Sequence, residues 1–257
     1  MPINRRNFTY SFMARDDVFK EFSALCTANN FLRKGKSFYR IVGDGVLQVL
    51  KIEQDSIRHP PFFSLGLFSM YGELQKQWFT SSGSITRYPV SVFDAIDDVN
   101  ISFDESQYSL QHQLDILTNK GMSWLNQIDT QAKLSVCMRK LDIACYNTVI
   151  WNDLEKFAPH LHSGDTVVAI KIIDAILAQY RNTEVTNSND VIDDECQYAA
   201  LKLEPEDIEL HQKKILVQSG DMDKIKEYLN RNFAQNCMYA KFCLPERRNI
   251  NGNSFMW

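Results

Sequence analysis

The sequence lacks an excess of basic residues, a secretory signal and any long apolar run. Its 257 residues include 28 Lys and Arg against 32 Asp and Glu, which gives a formal net charge of −4. We therefore do not expect a nucleic-acid-binding surface, because such surfaces need clustered cations. No stretch approaches the roughly 18 apolar residues of a membrane span, and residues 1–7 are polar, unlike a signal peptide. These absences predict a cytoplasmic protein without a membrane segment.

Cysteine is present but is not arranged for disulfides or for a metal site. The six thiols are spread over the chain without a C-x-x-C pair: Cys26, Cys137, Cys145, Cys196, Cys237 and Cys243. A chain of this length can bury a stable core without disulfides, and free thiols on apolar helix faces act as small hydrophobic side chains. Reduced cysteines in a cytoplasmic setting are therefore expected.

The apolar pattern changes once along the chain. A first helix is predicted from Asp16 or Asp17 to Ala28, with Asn29-Asn30 as its stop. Four strands follow, at residues 37–42, 46–54, 63–68 and 85–93, with Gly43-Asp44-Gly45 as the first hairpin turn. From Asp104 onward the period is helical. The sequence predicts an α+β fold, in which an N-terminal helix packs on an antiparallel sheet of about four strands and a mainly α-helical C-terminal half follows.

The C-terminal half contains several amphipathic segments. Helices are predicted to begin at the caps Thr130 and Asp165, to run from Pro205 to about Val217, and to run from Asp223 to Asn232. The polar stretch from Asn182 to Asp190 predicts a loop. No fixed-period repeat is strong enough to indicate a solenoid. We predict an α+β region at 1–130 and a helical region at 131–257, which either packs on the first as one unit or stands apart.

Residues 31–54 carry a resemblance to a known family. Phe31 precedes the basic pair Arg33-Lys34, Phe38-Tyr39-Arg40 follows in a strand, and the next strand ends at Gln54. Together with Trp124-Leu125 at the end of a later helix, these features resemble the bacterial family called domain of unknown function 4304. The resemblance covers about the first 130 residues and implies a fold without a known reaction. The association of such genes with bacterial conflict implies a role in immunity or defence.

Five residues on two neighbouring strands form the candidate binding site: Tyr39, Arg40, Lys51, Glu53 and Gln54. If they share the polar face of one hairpin, they offer a partner protein or peptide a polar surface with an aromatic anchor. A cross-strand ion pair between Arg40 and Glu53 is the simpler interpretation, because it explains both residues by sheet stability alone.

His160, His162 and Asp165 form the alternative site. Two imidazoles and a carboxylate could supply three metal ligands, as in a metal-assisted hydrolase. Pro159 and Gly164 predict that they lie in a loop between helices, where exposed histidines are common and Asp165 already serves as a helix cap. We therefore favour the absence of a metal and of any cofactor.

The sequence shows no motif of a nucleophilic serine, a phosphate-binding loop or a calcium loop. This favours a non-enzymatic intracellular module that binds another protein, such as a bacterial immunity protein that neutralises a toxin. The acidic net charge would speed its association with a basic effector. The alternatives are the hydrolase and a helical scaffold whose C-terminal half contacts other proteins. The sequence does not define the oligomeric state.

Overall fold

The computed structural model describes residues 6–35, 37–53, 61–74, 88–90, 93, 109–144, 153–187 and 205–243. A helix, five strands and a helical half follow one another, which confirms the predicted α+β fold. The described elements are α1 (Arg6–Ala28), β1 (Leu32–Lys34), β2 (Ser37–Val42), β3 (Val46–Glu53), β4 (Phe62–Ser69), β5 (Tyr88–Pro89), α2 (Leu110–Ile116), the π-helical segment Leu117–Gly121, α3 (Met122–Gln127), α4 (Gln131–Ala144), α5 (Asp153–His162), α6 (Thr166–Asn187), α7 (Pro205–Gln218) and α8 (Met222–Cys243).

The sheet is antiparallel, with the strand order β1-β2-β3-β4-β5. β3 pairs with β4 along its whole length and with β2 from Val46 to Lys51. Pro89 lies on the edge strand β5, where its missing N–H donor is tolerated. Apart from residues 88–90 and 93, the predicted fourth strand lies outside the described residues.

Each face of the sheet has its own core, because successive side chains of a strand point to opposite faces. The first face packs on α1 and on α2–α4 through a core that includes Phe22, Phe38, Leu50, Phe63, Leu65, Leu117, Leu125 and Leu134. The second face packs on α8 through Tyr39, Leu47, Val49, Phe68, Met70, Leu74, Cys237 and Ala240. Residues on both sides of the predicted boundary at 130 therefore share buried contacts.

Helix α1 ends where the sequence predicts. Asn30 has a φ of 63°, its N–H donates to the carbonyl of Thr27 at 3.0 Å, and the N–H of Phe31 donates to the carbonyl of Cys26 at 3.0 Å. These two bonds satisfy the last carbonyls of the helix. The helix begins earlier than predicted, at Arg6, because residues 6–15 contain no Gly or Pro that would stop it.

The β2–β3 turn docks on the junction between α3 and α4. Gly43 and Gly45 have φ of 51° and 99°, the conformation that the turn was predicted to need. A Cβ atom on Gly43 would lie 1.6 Å from the carbonyl oxygen of Asp129. The N–H of Asp44 donates to that oxygen at 3.1 Å, and the Asp44 carboxylate accepts from the N–H of Gln131 at 3.3 Å. Only glycine fits at position 43.

The helical run from Leu110 to Gln127 is interrupted by a segment that ends at Gly121. The chain there widens into the π-helical segment, which ends at this glycine. A Cβ atom on Gly121 would lie 2.8 Å from the ring of Phe93. The interruption thus lets Phe93 approach the helix backbone closely.

The C-terminal helices form two hairpins with matching turns. The first hairpin is α5–α6 and the second hairpin is α7–α8; Ser163-Gly164-Asp165 closes the first, and Ser219-Gly220-Asp221 closes the second 56 residues later. Each serine hydroxyl donates to the carbonyl three residues earlier, at 2.9 and 2.7 Å. Each aspartate accepts from the N–H three residues later, at 3.2 Å in both. The glycines have φ of 82° and 64°. The two turns therefore have the same structure, a similarity that was not predicted from the sequence.

Two predicted boundaries in this half are wrong. Residues 182–187 of the predicted loop are helical and belong to α6, whereas residues 188–190 lie outside the described part. Helix α8 runs to Cys243, eleven residues beyond the predicted end at Asn232. Polar residues interrupt the apolar periodicity there, but two of them bind carbonyls of the sheet region. Tertiary contacts thus extend the helix. Among the described residues, no helix combines the length and apolar character that crossing a bilayer requires.

Candidate functional site

The predicted binding residues do not share one face. Tyr39 is buried on the second face of the sheet, and Arg40, its neighbour along the strand, is buried on the first. Lys51 and Glu53 lie on the same face as Tyr39, and their side chains, 15% and 19% exposed, pair with each other at 3.6 Å. The predicted pair between Arg40 and Glu53 is therefore wrong. Gln54 lies outside the described residues.

Arg40 belongs to a buried polar network on the first face. Its Nε donates to Oε1 of Gln48 at 2.8 Å, and its Nη1 donates to the carbonyl of Asn29 at the end of α1 at 2.9 Å. Nε2 of Gln48 donates to the carbonyl of Leu125 in α3 at 2.9 Å. Burial raises the pKa of the Cys26 thiol, and the positive charge of Arg40 opposes this rise only in part. The network joins α1, the sheet and α3, so it stabilises the fold.

His160 and His162 lie in the last turn of α5, which includes Pro159, and not in a loop. Side chains two residues apart on a helix point roughly 200° apart. His160 Nδ1 lies 3.4 Å from Oδ2 of Asp165, whereas His162 stacks on Tyr71 with ring centres 4.2 Å apart. Within the described residues, no three His, Cys, Asp or Glu side chains are grouped as metal ligands would be. The geometry does not support the metal-assisted hydrolase.

His160 instead lies beside Asp165 at the start of α6 as a neutral side chain. Burial lowers the pKa of His160 from its ordinary value of 6.5, and the positive charge of Arg139 adds to this effect, while Asp165 opposes it. The imidazole is therefore uncharged at pH 7. Asp165 also caps α6, as predicted, by accepting from the N–H of Val168 at 3.2 Å.

A dense set of polar contacts binds the segment that follows β4. We call residues 70–74 the β4 turn, because the N–H of Gly72 donates to the carbonyl of Ser69 at 3.1 Å. Four side chains of the second hairpin bind this turn, and we call them the clamp: Lys213, Tyr228, Asn232 and Asn236. The last three are spaced four residues apart, which places them on one side of α8.

Two amide side chains of the clamp bind backbone carbonyls. Nδ2 of Asn236 donates to the carbonyls of Met70 and Gly72 at 2.8 and 2.6 Å. Nδ2 of Asn232 donates to the carbonyl of Tyr71 at 3.2 Å. Every residue of a peptide has a carbonyl, so these contacts recognise the course of the backbone and not its side chains.

The other two clamp residues bind the carboxylate of Glu73. The hydroxyl of Tyr228 donates to Oε1 at 2.7 Å, and Nζ of Lys213 lies 3.0 Å from Oε2. Lys213 also donates to Glu209 at 2.5 Å. The Lys213 side chain is 6% exposed, against 37% for Glu73 and 59% for Glu209. One buried ammonium thus holds two carboxylates that reach solvent.

The charges of this cluster fix its protonation at neutral pH. The hydrogen bond from Lys213 lowers the pKa of Glu209, which is therefore ionised. Burial raises the pKa of Tyr228, and the negative charge of Glu73 raises it further. Tyr228 is accordingly protonated and acts as a donor to Glu73.

The ring of Tyr71 touches both hairpins. Its centre lies 4.2 Å from that of His162 on α5 and 4.8 Å from that of Phe233 on α8. Burial raises the pKa of Tyr71, and the charge of Asp44 acts in the same direction. The β4 turn is therefore recognised by its backbone, by one aromatic ring and by one carboxylate.

The clamp residues were not among the predicted site residues, although the sequence contains a signal for them. At the 56-residue spacing of the hairpins, Lys213 corresponds to Phe157 and Asn232 corresponds to Ile176. All four side chains are buried. A polar side chain at a buried position needs a partner, so aligning the two Ser-Gly-Asp turns could have identified these residues.

Comparisons with known proteins add little to this geometry. No family model matches the chain, so the resemblance to domain of unknown function 4304 stays a prediction. The chain is similar to flagellar hook-associated protein 2 of Campylobacter jejuni, with 28% identity over 106 residues, or 40% of this chain. The match spans 16% of that protein's length. No solved structure matches.

Proposed function

We propose that the protein is a non-enzymatic, intracellular protein-binding module whose two hairpins carry the binding surface. One observation carries this proposal, namely the distribution of exposed apolar side chains. Of the six large ones in the described part, five lie on the hairpins: Val167, Ile208, Ile215, Met222 and Met238. The sixth, Val136, lies on α4. Exposed apolar side chains that lie next to one another are typical of interaction sites, and α7 offers such a pair.

Helix α7 presents two of these side chains on one side. Ile208 and Ile215 are seven residues, or about two turns, apart. They are 45% and 65% exposed, and Gln212 between them is exposed as well. An amphipathic helix can bind a partner through apolar side chains at this spacing.

The buried ionisable side chains support the non-enzymatic form of the proposal. Arg40 binds Gln48 and a helix carbonyl, His160 lies beside the cap of α6, and Lys213 binds two carboxylates. The contacts of Arg40 and Lys213 hold elements of the fold together. None of these contacts needs a substrate to explain it.

The proposed partner is a basic effector of the kind that bacterial defence systems neutralise. The net charge of −4 favours such a partner through long-range attraction. The proposal then predicts that co-expression with this chain relieves the toxicity of a neighbouring gene product.

The test replaces Ile208 and Ile215 by lysine in the full chain. Both side chains are exposed, so the free energy of unfolding should change by less than about 0.5 kcal/mol. The wild type, the Ile208→Lys/Ile215→Lys variant and a Val136→Lys control are purified from the native host under identical conditions. The co-purified protein is then isolated, and its Kd for each form is measured by calorimetry.

We expect the double variant to bind its partner at least about tenfold more weakly, because apolar contacts at an interface centre carry most of its affinity. Val136→Lys should bind like the wild type. A partner that binds all three forms equally would contradict the proposed surface. A wild-type chain that stays without any stoichiometric partner, and that protects against no neighbouring gene product, would contradict the module itself.

A further inference from the structure

We propose that the clamp is a peptide-binding site that this chain fills with its own β4 turn. A partner segment with an aromatic residue two positions before a glutamate would compete for it. This inference rests on the proposed protein-binding function and names the chemistry of one ligand. Four features of the clamp support it.

The first feature is that most contacts use groups that every peptide has. Three carbonyls of the β4 turn accept from Asn232 and Asn236, at distances between 2.6 and 3.2 Å. Such contacts contribute affinity without selecting side chains. A foreign segment with the same backbone course would make all of them.

The second feature is that two side chains supply the selectivity. The Tyr71 ring lies against His162 and Phe233, and the Glu73 carboxylate binds Lys213 and Tyr228. The residue between them is glycine, and a Cβ atom there would lie 3.3 Å from the carbonyl oxygen of Ser69, which belongs to the same turn. The site therefore selects an aromatic residue and a glutamate two positions later, and the turn itself favours the glycine between them.

The third feature is that the clamp residues have contacts or positions that do not depend on the β4 turn. Lys213 has a second partner, Glu209, one turn earlier on its own helix α7. Tyr228, Asn232 and Asn236 lie on a single helix. A site that is already formed loses little conformational freedom when it binds a ligand.

The fourth feature is access from solvent. Glu73 and Glu209 are 37% and 59% exposed, so the carboxylate side of the clamp borders solvent, although Lys213 itself is 6% exposed. Met70 and Leu74, at the two ends of the turn, are buried on the second face of the sheet. They would stay in place, so the exchange is confined to residues 71–73.

The experiment uses a fluorescein-labelled peptide, Ser-Met-Tyr-Gly-Glu-Leu, which is the sequence of residues 69–74. Its binding to the full-length wild type and to Glu73→Gln is measured by fluorescence anisotropy. The variant keeps the shape of the turn but removes the charge that Lys213 holds. We expect it to bind the peptide at least about fivefold more tightly than the wild type, because its own segment competes less well.

Two controls test the carboxylate contact. A peptide with glutamine in place of glutamate should bind Glu73→Gln about tenfold more weakly, because a charge-assisted hydrogen bond is lost. Lys213→Met in the Glu73→Gln background should lose the same factor, whereas Val136→Lys in that background should lose none. If a thermal melt shows that the Lys213 variant is unfolded, the affinity of the glutamine peptide alone tests the carboxylate contact.

Three results would overturn the inference. The first is a folded Glu73→Gln chain that shows no saturable peptide binding, and the second is equal affinity for the glutamate and glutamine peptides. The third is a Glu73→Gln chain that dimerises by exchanging the turn between copies. The Ile208→Lys/Ile215→Lys experiment separates this failure from that of the proposed function. If the Ile208→Lys/Ile215→Lys variant loses its partner while no form of the chain binds the peptide, the peptide site is contradicted and the proposed binding module is supported.

Discussion

The two hairpins have the same turn but different interiors. Both close with Ser-Gly-Asp and make the same serine and aspartate hydrogen bonds. The first hairpin buries Phe157 and Ile176 where the second buries Lys213 and Asn232. Since an apolar interior suffices for the fold of the first, the polar residues of the second serve another contact, the one with the β4 turn. At both positions, the difference between the hairpins coincides with the contact to the β4 turn.

The largest expected effect concerns the apolar interior. Phe157→Ala removes a fully buried ring from the core of the two hairpins and should lower the free energy of unfolding by about 3–5 kcal/mol. Urea denaturation followed by circular dichroism measures this loss. A loss below about 1 kcal/mol would show that the first hairpin does not depend on the apolar interior to which Phe157 belongs.

Next in size is the loss of the bonds to the backbone. Asn236→Ala removes two hydrogen bonds to buried carbonyls and should cost about 2–3 kcal/mol in the same measurement. Asn230→Ala, on an exposed side of the same helix, is the control and should cost less than about 0.5 kcal/mol. Equal losses would show that the clamp does not stabilise the chain.

A smaller effect is expected for the charged part of the clamp. Lys213→Met leaves Glu73 and Glu209 without their shared cation and should cost about 1–2 kcal/mol, because both carboxylates are partly solvated. In a double-mutant cycle with Glu73→Gln, the two losses should not add. Strictly additive losses would show that Lys213 and Glu73 do not interact in solution.

The two turns should respond equally to one further change. Gly164→Ala and Gly220→Ala each force a side chain into a φ above 60°, and a Cβ atom would meet nothing within 4 Å at either position. Each substitution should therefore cost about 1 kcal/mol, from backbone conformation alone. A difference of more than about 1 kcal/mol between the two would break the structural equivalence of the hairpins.

The smallest expected effect is a loss of stability at acidic pH that originates in the first hairpin. The folded-state pKa of His160 lies below the ordinary 6.5, so the unfolded chain takes up the proton first as the pH falls. The stability should therefore decline from about pH 6.5 down to the folded pKa. His160→Leu, which copies Leu216 of the second hairpin, should reduce this slope in urea titrations at pH 7 and 5.5. An unchanged slope would exclude His160 as its source.

Elements governed by local chemistry were predictable from the sequence. The left-handed Asn30 ends α1, Gly43 and Gly45 shape a turn, Asp165 caps α6, and Pro205 begins α7. In each case the signal and the structure that it produces lie within a few residues. The Ser-Gly-Asp repeat was equally visible in the sequence, and it was missed because no fixed short period accompanies it.

The polar networks were not predictable, because their partners are distant in the sequence. Gln48 binds a carbonyl 77 residues away, and Asn236 binds one 166 residues away. The predicted binding face failed for a different reason. Tyr39 and Arg40 are adjacent on a strand, and their alternation alone separates them. That error could have been avoided without a structure.

The docked β2–β3 turn has a consequence for engineering the chain. Hairpin tips are the usual places to insert a tag or to open new termini. With Gly43 against Asp129 and Gly45 against Phe233, an insertion at this tip would displace both the α3–α4 junction and α8. Circular permutants and epitope insertions should instead be made at Gly164 or Gly220, whose surroundings are open.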